Sequence, residues 1–198
     1  IEVAISESEE TTHFSIIDKW GNVVSNTYTL NTAYGSGIVP TGTGILMNNE
    51  MDDFSSKPGF PNAYGLVGSE ANKIEPKKTP LSSMTPVIIF KQGRPFLVSG
   101  SPGGSTIITS VLQEVLNVLD FNMSLKESSS KSRIHFQHLP DILFHEELDK
   151  DVIASLKDNK KLIGRKLGEI HSILLKGDNI EAFSDKRRPD GKASTFQK

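Results

Sequence analysis

Residues 13–18 alternate apolar and polar side chains, with Phe14 and Ile16 on one face of a strand and Ser15 and Ile17 on the other. An acidic and polar run over 6–10 precedes this segment, and Thr11 stands at the junction. The turn Asp18–Asn22 follows, where Gly21 and Asn22 suit the positive φ of a hairpin connection. A second strand is expected over 23–30, from Val23, Val24, Thr27, Tyr28 and Thr29. The glycine-spaced stretch 31–44 reads as a loop, 45–47 as a short strand, and 48–69 as a long irregular segment. Irregular stretches of that length in compact domains are usually functional.

A hairpin is expected from 86–90 and 96–100, around Lys91-Gln92-Gly93-Arg94. Ile107, Ile108, Val111, Leu112, Val115, Leu116 and Leu119 then recur at helical spacing. Residues 151–157 read as a helix continuing towards Lys161, and 170–176 with 180–184 as a closing hairpin around Gly177-Asp178. Strands first, a helix after the central hairpin and strands again make an α+β pattern with mostly antiparallel pairing.

Composition narrows the function classes. The 198 residues suffice for one domain with a sizeable core, and the formal charge of −2 disfavours a nucleic-acid partner. The absence of cysteine removes disulfides, thiolate nucleophiles and cysteine-ligated metals. No apolar run is long enough to span a bilayer, and the opening residues do not form a signal peptide.

Four stretches carry candidate chemistry. Thr11 is either an ordinary strand-start threonine or a nucleophile whose own α-amine, once freed, acts as its base. Gly100-Ser101-Pro102-Gly103-Gly104-Ser105 lies between strand and helix, where a glycine pair turns backbone amides outward to hold an oxyanion or simply makes a tight turn. Ser82 and Ser83 either donate to a ligand carboxylate or finish a turn. Glu50, Asp52 and Asp53 could take an ammonium group, could take a hard metal without calcium-loop spacing, or could be solvated acids. The histidines lack metal-ligand spacing, and no G-x-S-x-G elbow anchors a serine triad.

These stretches together resemble the small, C-terminal subunit of the gamma-glutamyltransferase (gamma-glutamyltranspeptidase) family. The likeness rests on TTHFSIIDKWGNVVSNTYTLN, GSGI, GILMNNEMDDFS, KPGFPNAYGLVG, PLSSMTP and VSGSPGGS, in the family's order and spacing from Thr11 to about Ser184. The ending SDKRRPDGKA follows the family's acidic-arginine ending only loosely. The resemblance implies an N-terminal nucleophile (Ntn) hydrolase, an αββα sandwich, made as a precursor that cuts itself at Glu10–Thr11. It divides the chain into 1–10, the tail of the large-subunit segment, and 11–198, the small catalytic subunit.

The same resemblance assigns roles. Thr11 is the nucleophile and Thr29 orients it, while the Gly103 and Gly104 amides stabilise the oxyanion. Asn31, Glu50 and Asp53 grip the α-amino and carboxylate groups of the substrate, Ser82 and Ser83 its α-carboxylate, and Tyr64 latches a lid over 58–69. It implies glutathione or related γ-glutamyl donors, and water, amino acids or dipeptides as acceptors. It also implies a large-subunit partner supplying a carboxylate-clamping arginine, no cofactor or metal, and a periplasmic or secreted location. Until the bond before Thr11 is cut, the nucleophile has no free amine, and the chain by itself is expected to be inactive. A cephalosporin or glutaryl acylase on the same fold and a non-catalytic binding fragment are the competing readings.

Overall fold

The computed structural model describes residues 11–139, 141–156 and 161–195. The first two strands, β1 (Thr12–Ile17) and β2 (Val23–Tyr28), pair antiparallel around a turn held by Asp18. The Asp18 carboxylate accepts the amides of Trp20 and Asn22 at 2.9 Å each, and the Asn22 side chain at 2.7 Å. Gly21 has positive φ, at 89°. Asn22 does not, contrary to the expectation: its side chain is committed to Asp18 instead.

Strands β3 (Val87–Lys91) and β4 (Arg94–Ser99) turn through Gln92-Gly93, both at positive φ as a tight hairpin requires. The helix α1 (Thr106–Leu119) follows, then a short helix α2 (Leu125–Ser130). A small sheet comes next, of β5 (Ile134–Gln137), β6 (Ile142–His145) and β7 (Lys161–Gly164), with α3 (Lys150–Leu156) between β6 and β7. The hairpin β8 (His171–Lys176) and β9 (Asn179–Ser184) completes a four-stranded sheet in the order β3-β4-β8-β9. Every pairing between these strands is antiparallel except β6 with β7.

The layers explain the burial. On one face of the four-stranded sheet, Val118 and Leu125 of the helices pack against Leu97 and Leu174, and Ile107 and Val111 against Ile170. The β1-β2 hairpin lies on the other face, tied by the Ser15 hydroxyl to the His171 carbonyl (2.9 Å) and by Ser25 to the Ser99 carbonyl (2.8 Å). Leu97 and Val98, adjacent in β4, are therefore both fully buried. A helix layer, a four-stranded sheet and a second sheet are three successive layers of the αββα sandwich that the resemblance implies. The hairpin's apolar face, Phe14, Ile16, Val24 and Tyr28, points away from this sheet and is exposed.

Two further local expectations need correction. Residues 45–47 form no strand. They belong to a loop closed on itself, where the Ser36 amide bonds the Met47 carbonyl and Gly35 packs so closely on that carbonyl that a Cβ would lie 2.2 Å away. The helix starting near Asp151 ends within the described residues at Leu156, and Lys161 opens β7; residues 157–160 lie outside the described residues. The segments forming α2, β5 and β6 had no assigned structure in the reading above. Capping of α2 is local: the Ser124 side chain and the Glu127 side chain cap each other's amides.

Behind β9 the chain is held by a buried ionic network. Arg133 bonds Asp185 at 2.7 Å and the Leu167 carbonyl at 2.8 Å, while Arg187 bridges Asp185 and Glu146. Burial alone would raise the Asp185 pKa, yet the two guanidiniums overcome it and hold the carboxyl below its usual range. Asp185→Asn in the complete protein is expected to cost about 3 kcal/mol, because it leaves buried cations uncompensated. Urea unfolding at neutral pH measures this. Since Asp185 titrates lower folded than unfolded, its contribution is full above the ordinary carboxylate pKa and is lost as pH falls through the lowered one.

Candidate active site

Thr11 is buried, 5% exposed, immediately before β1. The register ends at the pair Thr12 and Tyr28, and its continuation by one step points Thr11 towards Thr29, just beyond the paired strands. The Thr29 hydroxyl accepts the Asn31 amide at 2.9 Å, and this bond shapes the exit from β2.

His13, two residues beyond Thr11 on the same side of the strand, connects the hairpin to the glycine loop. Its Nδ1 lies 2.8 Å from the Thr27 hydroxyl and its Nε2 3.1 Å from that of Ser15. A Cβ on Gly100 would sit 2.2 Å from the ring, so only glycine allows the loop to start there. Burial, with His171 adding to it, lowers the His13 pKa to about 4, so the ring is neutral at working pH. This residue was read from sequence only as a strand position.

The glycine loop is held rigidly on its other side. The Ser101 hydroxyl donates to the Pro102 carbonyl (2.6 Å) and accepts the Glu169 amide (2.7 Å). Gly103 and Gly104 have φ of 129° and 53°, and their carbonyls accept the Thr106 and Ile107 amides that start α1. Thr11 and Pro102 share the wall of a cavity of about 260 Å³ with Glu169, His171, Arg188 and Asp190. In that wall Glu169 bonds both His171 (3.0 Å) and Arg188 (3.1 Å), a polar cluster that no sequence pattern announced.

A second group of expected residues gathers at the end of β2. Asn31 is buried at φ 76°, and its side chain donates to the Asn49 carbonyl at 3.3 Å. Glu50 and Asp53 open and close one 3₁₀ turn, where positions three apart eclipse and bring two carboxyls together. Burial, followed by the Asp53 carboxylate and its hydrogen bond, pushes Glu50 up to about 7, and burial raises Asp53 too. Glu50 Oε1 is buried with no hydrogen-bond partner among the described residues. Two carboxyls of raised pKa thus lie side by side next to an unmet acceptor, an arrangement that suits a cationic ligand group.

The Tyr64 hydroxyl donates to the Asn31 carbonyl, closing the lid onto this turn. Asp52 helps hold that position by accepting the Ala63 amide. Ser83 joins Asp53 in lining a cavity of about 470 Å³ under the lid, with Phe54, Phe60 and Leu66. Ser82 is exposed, its hydroxyl accepting the Met84 amide at 3.2 Å. Glu10 and the rest of residues 1–10, including the expected cutting site's first residue, lie outside the described residues.

Comparison with known proteins agrees with this geometry. The gamma-glutamyltranspeptidase family model matches residues 2–195. The glutathione hydrolase proenzyme of Escherichia coli K12 is 49% identical over 188 residues, covering 93% of this chain and 32% of the relative. The chain thus spans about a third of the length of the curated relatives it matches. The structure of a gamma-glutamyltranspeptidase from Pseudomonas nitroreducens complexed with L-DON is similar at TM-score 0.87 and 47% identity, covering 94% of this chain and 100% of that one. A cephalosporin acylase from Bacillus halodurans, at 21% identity and TM-score 0.76 over 94% of this chain and 34% of that one, shares the fold alone. On the family match and these identities together, the chain belongs to the gamma-glutamyltranspeptidase family.

Proposed function

We propose that this chain is the nucleophile-bearing part of a precursor that cuts itself between Glu10 and Thr11, then hydrolyses or transfers the γ-glutamyl group of glutathione and related amides. The observation that carries the reading is the buried Thr11 at the start of β1, whose register continued by one step points it towards Thr29, while His13 seats the same strand on Gly100 at the start of the glycine loop. In this mechanism the freed amine of Thr11 takes the hydroxyl proton as Oγ1 attacks the γ-carbonyl, and Thr29 orients the nucleophile. The Gly103 and Gly104 amides take the developing oxyanion. Collapse expels the amine, which leaves with the proton, and water or an amino acid or dipeptide then resolves the γ-glutamyl ester.

Donor recognition follows from charge. Asn31, Glu50 and Asp53 receive the α-ammonium and carboxylate end, Ser82 and Ser83 donate to the α-carboxylate, and Tyr64 holds the lid that excludes bulk water. A free ammonium suits Glu50 and Asp53 better than the plain diacid of a glutaryl acylase does. Ammonium binding needs the ionised pair, so the donor KM is expected to fall as pH rises towards 7. At lower pH the slope approaches about tenfold per unit. Glu50→Gln should flatten that dependence; an unchanged slope would remove Glu50 from the ammonium site.

Residues 1–10 are the end of the large-subunit segment and 11–198 the small subunit. The large subunit covers the exposed apolar face of β1-β2 and the outer stripe of α1, Ile108, Leu112, Leu116 and Leu119, and it brings the carboxylate-clamping arginine. The relatives' description as proenzymes supports this division. Family resemblance supports a periplasmic or secreted location. Assay of the complete precursor on γ-glutamyl-p-nitroanilide against glutaryl-p-nitroanilide tests the substrate class. Preference for the glutaryl compound would favour the acylase, and turnover of neither would favour a binding fragment.

A further inference from the structure

The inner face of α1 is apolar at Ile107, Val111 and Val118, but the fourth position on that face is Glu114, only 2% exposed. Among the described residues no lysine or arginine forms an ion pair with it. Its Oε2 meets the hydroxyls of Ser99, at the end of β4, and Ser172, in β8, the latter at 2.8 Å. Its Oε1 accepts from Ser129 of α2 at 3.3 Å, and the two β-strand hydroxyls lie 2.9 Å from each other.

Proton counting favours a neutral acid in this cluster. Ser99 Oγ, Ser172 Oγ and Glu114 Oε2 form a triangle with three oxygen–oxygen contacts, and the two hydroxyls bring only two protons. A carboxylic acid supplies the third, after which each oxygen donates once and accepts once. Burial pushes the Glu114 pKa up, in the same direction, against the serine hydrogen bonds and the more distant Arg133 charge. Among the described residues, Arg133 is the cation that acts on Glu114, and it bonds the Ser129 carbonyl at 3.1 Å rather than the Glu114 carboxyl. Strands β4 and β8 present hydroxyls, α2 presents Ser129, and Arg133 is taken up by Asp185, itself shared with Arg187, which also bonds Glu146. Glu181 of β9 accepts the Leu125 amide, and His135 of β5 bonds Thr109 a turn earlier on α1.

The position of the cluster in the chain gives it a role. Ser99 is the last residue before the loop 100–105, and Glu114 lies on the helix that leaves it. Ser172 adds the strand whose His171 amide bonds the Gly100 carbonyl at 3.1 Å. We propose that Glu114 is a positioning residue, a neutral acid that ties the entrance of the glycine loop to the helix that follows it and so fixes where the Gly103 and Gly104 amides point. It touches no reacting atom. Its kinetic consequence rests on the γ-glutamyl reading above, whereas the tether itself does not.

The test uses the complete precursor with Glu114→Gln, Glu114→Ala and Ser172→Ala. Removing the tether is expected to speed amide exchange over residues 100–105 by about tenfold or more, the opening of one buried hydrogen-bond cluster. It is expected to lower kcat between about tenfold and a hundredfold through misplacement of the donors, with KM little changed. Glu114→Gln keeps a donor and an acceptor but cannot ionise. It should therefore retain more of kcat than Glu114→Ala, with KM close to wild type in both. Unchanged exchange over 100–105 in a folded alanine variant, or a Glu114→Gln enzyme that loses as much kcat as Glu114→Ala, overturns the proposal. If Glu114→Ala does not fold, Ser172→Ala decides, since it removes a hydroxyl and leaves a methyl. A wild-type protein without γ-glutamyl turnover would refute the proposed activity instead, and the exchange comparison, which needs no substrate, would still decide the tether.

Discussion

Thr11→Ala in the complete precursor is expected to abolish both self-cleavage and γ-glutamyl turnover. The loss should reach about 10⁴-fold or more, the scale seen when a covalent nucleophile is removed. The substitution deletes one hydroxyl and one methyl at a position outside the regular strand pairing, so the register from Thr12 to Ile17 should survive it. Stability should change little and chemistry entirely. Intact-mass measurement then finds one uncut chain where the wild type gives two, and γ-glutamyl-p-nitroanilide is left unhydrolysed. Thr11→Ser keeps an attacking oxygen and should restore both events at reduced rate. If Thr11→Ala still cut itself and still hydrolysed the anilide, the nucleophile would have to be sought elsewhere.

The parts of this fold legible in the sequence are those whose information is local. The β1-β2, β3-β4 and β8-β9 hairpins each show strand residues on both sides of a turn signal, and α1 shows continuous helical spacing. Strands β5, β6 and β7 have four residues each, and the β6-β7 pairing is parallel across α3, so neither turn nor alternation marks them. Helix α2, LKESSS, has one apolar residue and owes its place to a capping box and buried serines. The helix α1 was itself only half legible. Its apolar residues occupy two faces, and periodicity alone could not tell that Ile108, Leu112, Leu116 and Leu119 face outward while Glu114 faces in.

The site divides the same way. Glu50 and Asp53 three apart, the glycine pair and Thr11 at a strand start are visible as residue types at a spacing. Relations between distant segments are not. The placing of Thr11 towards Thr29 depends on a register, the His13 seat on an absent Cβ at Gly100, and the Glu114 tether on three segments meeting behind the sheet.

Gly103→Ala is the other large expected effect. Its φ of 129° lies where L side chains are strained, and the added Cβ would meet the Thr106 hydroxyl at 2.9 Å and the Gly168 Cα at 3.0 Å. The hydroxyl could rotate, but the backbone at Gly168 has no such freedom. A Cβ on Gly168 would in turn press on the hydroxyls of Ser110 and Ser101, at 2.6 and 2.7 Å. The glycine loop must therefore move away, taking the amides of residues 103 and 104 out of line with the oxyanion. Misplacing such donors costs about 10²–10³ in kcat while leaving ground-state binding nearly intact. Donor KM should thus stay close to wild type, because the groups gripping the glutamyl head are on other segments. Gly168→Ala should reproduce a smaller form of the same defect through Ser101, without altering residues 103 or 104. Gly93→Ala, in a hairpin turn where nothing lies within 4 Å, controls for strain at positive φ alone. A Gly103→Ala enzyme with unchanged kcat would show that the oxyanion is held by other donors, and the glycine pair would return to being a tight turn.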